Sequence, residues 1–120
     1  MRALLLIAHG SRREASNDEV RALANKMAEQ AGSDFEVVVP AFLELSEPSI
    51  PGGADQCVQA GATEIVAVPY FLSAGRHVAE DIPAELEKAR QNNPGVTIRQ
   101  SDYLGKHADV LAILLALANT

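Results

Sequence analysis

The chain has 120 residues, 48% of them hydrophobic and 22% charged, and a formal net charge of -6. This length predicts one domain, residues 1–120, and the acidic balance argues against nucleic acid as the main partner. No apolar run reaches the roughly 18 residues of a membrane helix, the N-terminus lacks a signal-peptide layout, and the single cysteine, Cys57, permits no internal disulfide. We therefore expect a cytoplasmic protein without a membrane partner and interpret Cys57 as a core residue.

The first apolar run, Arg2–Ala8, is typical of a strand buried on both faces of a parallel sheet. Helical spacing of apolar residues follows over 17–30, and Gly32 is expected to end that helix. A second strand is predicted over 35–42, where Pro40 indicates an edge position.

Helices and strands continue to alternate along the rest of the chain, with a helix over roughly 53–60, a strand over 64–69, a helix over 77–91, a strand over 96–100 and a helix over 108–118. This order predicts an α/β fold with a four-stranded parallel sheet and right-handed crossovers. The last helix is too apolar to leave one whole side in water, so we expect it to be buried within the monomer, against a second subunit, or both. That helix and the small sheet, with its exposed edges, favour a homodimer.

Three ionisable side chains follow predicted strands. His9 follows the first, Glu44 the second, and His77 closes the loop after the third. Ligands of open α/β sheets bind beyond the carboxyl ends of the strands, so we expect all three at one rim. Two imidazoles and a carboxylate suit cobalt, nickel, iron or zinc better than calcium or magnesium. Imidazoles also move protons, although a lone histidine at a strand end is more often structural or solvated.

Two further segments have both a structural and a functional interpretation. Gly10-Ser11-Arg12 is either a simple strand-to-helix turn or an anion pocket. The loop Leu72–Arg76 either packs on the core or presents an apolar wall to a flat ligand, with Ser73 and Arg76 placed to bind its carboxylates. Glu47 is interpreted as a solvated acid, and His107 as a surface or packing residue near the last helix.

Several segments resemble, in order, the motifs of the sirohydrochlorin chelatases, the class II tetrapyrrole chelatases. The similar segments together cover most of the chain. They are Leu6–Arg12, Phe42–Glu44 with Glu47–Ser49, Gly61–Ala62 leading into Val66–Leu72 with Gly75–Val78 and Asp81–Pro83, and Leu104–Gly105 with His107. Pro51-Gly52-Gly53 departs from the helix former expected there, which leaves the start of the second helix in doubt.

The resemblance implies a chelatase-like three-layer α/β/α fold and a lyase that inserts Co²⁺ or Fe²⁺ into sirohydrochlorin, toward cobalamin or siroheme. It implies that His9 and His77 hold the metal and that His9 is a candidate base. Glu44, from its place after the second strand, is a second candidate catalytic group that could offset metal charge or receive a proton. The metal is then a substrate, no cofactor is tightly bound, and the short members of the family form homodimers. The candidate substrate-binding residues are Ser11, Arg12, Glu44, Leu72, Ser73, Ala74, Gly75 and Arg76, with Arg13 as a further edge contact.

Two other functions stay open. The same motifs fit a carrier that binds metal or tetrapyrrole without catalysing insertion. A histidine followed by glycine after the first strand also occurs in histidine phosphatases, with His9 as the nucleophile. In this chain Ala8 stands where those enzymes resemble one another in having arginine, so a transferred phosphate would lack its main charge partner.

Overall fold

The computed structural model describes residues 1–120. Its four strands form one parallel sheet in the order β2-β1-β3-β4. The strands are β1 (Arg2–Ala8), β2 (Val37–Phe42), β3 (Glu64–Pro69) and β4 (Thr97–Gln100). The predicted topology is confirmed, and the bounds of β1 and β3 are those expected from the sequence.

Four helices connect or follow the strands. They are α1 (Glu14–Ala31), α2 (Ile50–Gln59), α3 (Ile82–Asn92) and α4 (Asp109–Ala118). A π-helical turn, His77–Asp81, precedes α3, and a short 3-10 turn, Leu104–Lys106, precedes α4. None of these helices combines the length and apolarity needed to cross a membrane.

Alternate side chains of β1 face two separate apolar layers. Leu5 and Ile7 belong to the larger cluster, which contains residues of α2 and α3. Leu4 and Leu6 face the other way, toward Val20 of α1. Helices therefore lie on both sides of the sheet, which confirms the three-layer arrangement.

Pro40 and Cys57 occupy the environments predicted for them. Pro40 lies in β2, whose only paired neighbour is β1, so its missing N–H falls in an edge strand. Cys57 is fully buried in the larger cluster, and this burial raises the pKa of its thiol to about 11. A thiol in that state is neutral and packs as a small apolar group.

The helix predicted from residue 53 begins earlier, at Ile50, and the Pro-Gly-Gly segment explains how. Ser49 caps the helix, because its Oγ accepts the Gly52 N–H at 3.1 Å, and Pro51 sits in the first turn, where its missing N–H costs nothing. A Cβ at Gly53 would come within 2.9 Å of side-chain atoms of Ala41 and Leu5. Glycine there lets α2 approach the sheet closely.

The helix predicted from residue 77 is regular only from Ile82. The first turn is wider, and the Ile82 N–H donates to the His77 carbonyl in the i to i-5 pattern of a π-helix. Pro83 explains the change, because it lacks the N–H that an α-helix would direct to the Ala79 carbonyl. The widened turn begins with one of the two candidate histidines.

The apolar helix α4 is not covered by the rest of the chain. None of its residues is buried, and Leu111 and Leu117 are 67% and 64% exposed. The expectation of burial within the monomer is therefore wrong, which leaves burial against another molecule as the prediction from its composition.

Candidate metal centre

The loops after β1 and β2 stay side by side beyond the end of the sheet. The Leu43 N–H donates to the Ala8 carbonyl at 2.9 Å, and the Glu44 N–H donates to the His9 carbonyl at 3.1 Å. This alignment brings the Glu44 carboxylate to the His9 ring, with 3.0 Å between Oε2 and Nε2. Parallel register thus makes neighbours of two residues that are far apart in the sequence.

His77 faces His9 across the same opening. The ring centroids are 4.8 Å apart, and the ring planes are inclined at 62°. The side chains of His9 and His77 are 42% and 45% exposed, so the pair is accessible from solvent. The structure therefore places the two histidines together at the rim, as expected from their positions after β1 and β3.

Hydrogen bonds assign different protonation patterns to the two rings. His77 Nδ1 lies 2.8 Å from Asp81 Oδ2, so Nδ1 donates to the carboxylate and Nε2 keeps its lone pair. His9 Nδ1 lies 2.9 Å from the Gly10 carbonyl, which only accepts, so Nδ1 again carries a proton. The other nitrogen of His9, Nε2, lies beside Glu44, so both nitrogens of this ring have a protein partner.

The donor set is a histidine pair with flanking carboxylates. No three or more His, Cys, Asp or Glu side chains stand around a common point as metal ligands. His77 Nε2 is the one imidazole nitrogen of the pair with no protein partner in the described contacts.

Asn17 holds the segment that follows His9, a role that the sequence did not reveal. Its side chain is 1% exposed, accepts the Ser11 N–H at 2.9 Å and donates to the Ser11 carbonyl at 2.8 Å. Both backbone groups of Ser11 are thereby fixed to α1. Asn17 belongs to the apolar stripe by its spacing, and a polar residue there was the available signal.

Arg21 holds the loop that carries Glu44. Its guanidinium donates to Ser46 Oγ at 2.9 Å and to the Glu47 carbonyl at 3.2 Å, and it lies over the Phe42 ring. It also binds Glu14, and that hydrogen bond lowers the pKa of the Glu14 carboxyl. No local pattern predicts these contacts, since the loop follows 25 residues after Arg21.

The other candidate ligand-binding residues, which we call the exposed margin, lie within five residues of His9 or His77 in the sequence. Arg12 and residues 72–76 are exposed, with Leu72 at 74%. Arg76 pairs with Glu80 at 3.3 Å, so its charge is already partly balanced. His107 is a surface residue near the start of α4, as predicted, and its Nδ1 accepts the Asp109 N–H.

The fold agrees with one family. The family model named CbiX matches residues 3–120 of the chain. The chain belongs to the CbiX family. This confirms the resemblance to the sirohydrochlorin chelatases found in the sequence motifs.

Relatives of this CbiX-family chain carry chelatase names. It is 35% identical over 111 residues to the chloroplastic sirohydrochlorin ferrochelatase of Arabidopsis thaliana, a match that covers 92% of the chain and 48% of that protein. The chain spans about half the length of the curated relatives it matches.

Two solved structures share the fold. The sirohydrochlorin chelatase SirB from Bacillus subtilis subspecies spizizenii, in complex with cobalt, superposes with a TM-score of 0.89 at 30% identity, covering 98% of this chain and 50% of that one. The putative cobalamin biosynthesis CbiX protein of Marinobacter aquaeolei VT8 gives a TM-score of 0.84 at 28% identity, covering 99% and 95%. The second match shows that a CbiX-family chain of similar length has this architecture.

Proposed function

We propose that this chain inserts Co²⁺ or Fe²⁺ into sirohydrochlorin. The observation that carries the proposal is the convergence of His9 and His77, 4.8 Å apart between centroids, at an open rim. The chelatase names of its relatives and the cobalt-bound relative of the same fold support it. The metal is a substrate in this reaction, and no tightly bound cofactor is needed.

The two histidines have different roles when the metal ion first binds. His77 presents the Nε2 lone pair, and its ring is oriented by Asp81, the arrangement that histidine ligands commonly use. The incoming divalent ion binds first at His77. His9, whose Nε2 contacts Glu44, then completes the metal pair or accepts a proton.

Insertion requires two pyrrolic protons to leave as the metal enters the macrocycle. His9 and Glu44 form an acceptor pair beside the metal position, and both side chains are partly exposed, so each proton can pass on to water. Two protons are released for each divalent ion inserted, and the charge balances without a redox step. Glu44 is thus a proton acceptor, whereas His9 alternates between proton and metal.

The exposed margin suits a flat macrocycle with carboxylates at its edge. Leu72 and the small residues Ala74 and Gly75 offer an apolar surface beside His77. Ser11, Arg12, Arg13, Ser73 and Arg76 supply hydrogen-bond donors for the carboxylates. Arg76 must exchange Glu80 for substrate, so its net contribution to binding is smaller than that of an unpaired arginine.

The direct test is a spectrophotometric assay with sirohydrochlorin and Co²⁺ or, without oxygen, Fe²⁺. We expect the protein to accelerate the spectral change from free base to metallated product above the rate without protein. Tetrapyrrole binding with no acceleration would support the carrier alternative. Covalent phosphate on His9 after incubation with a phosphate ester would support the phosphatase alternative.

Asp81→Asn should lower the rate of metal insertion by about 10- to 100-fold, the usual effect of losing a hydrogen-bond partner of a metal-binding histidine. The amide no longer fixes which His77 nitrogen carries the proton. The measurement is the apparent Co²⁺ affinity and the insertion rate of this variant. Glu85→Gln is the matched control, because Glu85 pairs only with Lys88 on the same helix; equal losses in both variants would contradict the role of Asp81.

We also propose that residues 1–120 act as one domain, that two copies assemble into a homodimer, and that the protein works in the cytoplasm. The uncovered helix α4, in which Asp109 is the only charged residue, supports assembly. A lone, buried, neutral thiol is compatible with a reducing compartment.

A further inference from the structure

The loop that carries Glu44 has an unfavourable backbone conformation at the next residue. Leu45 has φ of +66°, in the left-handed region that favours glycine, and it is the one non-glycine residue of the chain with a positive φ. The residue is 52% exposed, so the packing of its own side chain gives little compensation. A residue in this region keeps its conformation only where the surrounding structure fixes it. The contacts of the neighbouring residues therefore have to hold the loop.

Arg21 of α1 contacts this loop on both sides of Glu44. Its guanidinium lies over the Phe42 ring, 5.2 Å from the ring centroid. Its Nη2 donates to Ser46 Oγ at 2.9 Å and to the Glu47 carbonyl at 3.2 Å. One planar side chain thus holds the loop before and after the carboxylate, a geometry that the fixed fork of donors in arginine allows.

Glu14 joins Arg21 to Asn17, the residue that holds the segment after His9. Its Oε1 accepts from Arg21 Nη1 at 2.7 Å, and its Oε2 accepts from Asn17 Nδ2 at 3.2 Å. Asn17 in turn binds both backbone groups of Ser11. The three side chains meet because their spacing along α1 places them on one helix face. Both loops of the site are therefore attached to the start of the same helix.

We propose that Arg21 is a positioning residue for Glu44. It stabilises the left-handed conformation of Leu45 and thereby keeps the Glu44 carboxylate 3.0 Å from His9 Nε2. Misplacement of a reacting group by about 1 Å can lower a rate by about 100-fold, so a residue that fixes the loop affects the reaction without touching the substrate. The effect on the reaction rests on the proposed function, in which Glu44 accepts protons, whereas the effect on the loop does not.

Hydrogen exchange of the metal-free protein tests the position of the loop without an assay of activity. The Glu44 N–H donates to the His9 carbonyl, and the Ser101 N–H donates to the Ala67 carbonyl near the opposite edge of the sheet. We expect Arg21→Met to speed exchange of the Glu44 N–H by about 10-fold and to leave the Ser101 N–H unchanged. Unchanged exchange at Glu44, or equal acceleration at both amides, would overturn the inference.

Arg90→Met is the matched control. Arg90 is 38% exposed, against 34% for Arg21, and its Nε and Nη2 donate to the Ile98 carbonyl of β4. This variant loses an arginine that also binds backbone but does not contact the loop of Glu44, so exchange at Glu44 should keep its original rate. Arg21→Lys keeps the charge without the planar fork of donors. It replaces Arg21→Met, with the same expected results, if that variant does not fold.

A double-mutant cycle with Glu44→Gln tests the connection with the reaction. We expect Arg21→Met alone to lower the insertion rate by about 10-fold. In the Glu44→Gln protein, which has already lost the acceptor, the same substitution should change the rate by less than about two-fold. Equal losses in both backgrounds would show a general effect on the fold and would contradict the positioning role. Absence of insertion by the unaltered protein would contradict the proposed function alone, because hydrogen exchange still decides whether Arg21 positions Glu44.

Discussion

His9→Ala and His77→Ala will each reduce the rate of metal insertion by at least about 100-fold, equivalent to roughly 2.7 kcal/mol in the activation barrier. His77→Ala removes the nitrogen that is free to take the incoming ion, and His9→Ala removes the ring that contacts Glu44. Because both side chains are nearly half exposed, neither truncation leaves a buried cavity. The insertion rate and the denaturant midpoint of each variant should be measured together.

The chain supplies its own control for this experiment. His107 is the remaining histidine, it lies on the surface before α4, and the polar contacts of its side chain are with Asp109. His107→Ala should insert metal at the original rate when assayed as an assembled protein. Full activity in both His9→Ala and His77→Ala would end the assignment of the site, even if the protein remained a chelatase.

Gly10→Ala will destabilise the protein by about 2–4 kcal/mol and abolish insertion. Gly10 has φ of +93°, a conformation that residues with a Cβ rarely adopt. An added Cβ would also overlap the Glu44 carbonyl oxygen, which is backbone and cannot rotate aside. The loop after β2 must therefore move, and Glu44 loses its position beside His9.

Denaturant unfolding and the insertion assay measure the two effects of Gly10→Ala. Gly95→Ala is the appropriate comparison, because a Cβ there meets nothing within 4 Å and the backbone has no positive φ. We expect that variant to match the original protein in both measurements. A Gly10→Ala protein with normal stability would show that the two loops are not packed as the structure describes.

The sheet and the meeting of the two histidines were predictable, since they follow from local patterns and one topological rule. Continuous apolar runs set the bounds of β1 and β3, and parallel order places whatever follows them at one rim. His9, Glu44 and His77 were found in this way without any knowledge of side-chain positions.

The residues that hold the site were harder to predict because their partners are set by tertiary packing. In the sequence Asp81 stood out only as part of the motif segment Asp81–Pro83, yet it hydrogen-bonds His77 at the i, i+4 spacing. The i, i+4 spacing of His77 and Asp81 can be seen in the sequence. The π-helical turn that contains both residues depends on Pro83 and was not predicted. No pattern in the sequence predicted that Arg21 holds the loop after β2.

The packing partner of α4 could not be predicted from one chain. The composition of the helix indicates that its leucines pack against apolar surface, but it does not identify the molecule that provides that surface. Helix propensity also placed the start of α2 too late. Pro51 fits the first turn of that helix, and Gly53 allows the helix to contact the sheet closely.

Gly105 connects the turn before the uncovered helix α4 with the loop that leads to His77. It lies so close to the backbone of Leu72 that any side chain would collide with the Leu72 carbonyl, and it is bonded to Phe71. The turn leading into α4 therefore clamps the loop leading to His77. A displacement of α4 would therefore be transmitted through backbone contacts to the segment that ends at His77.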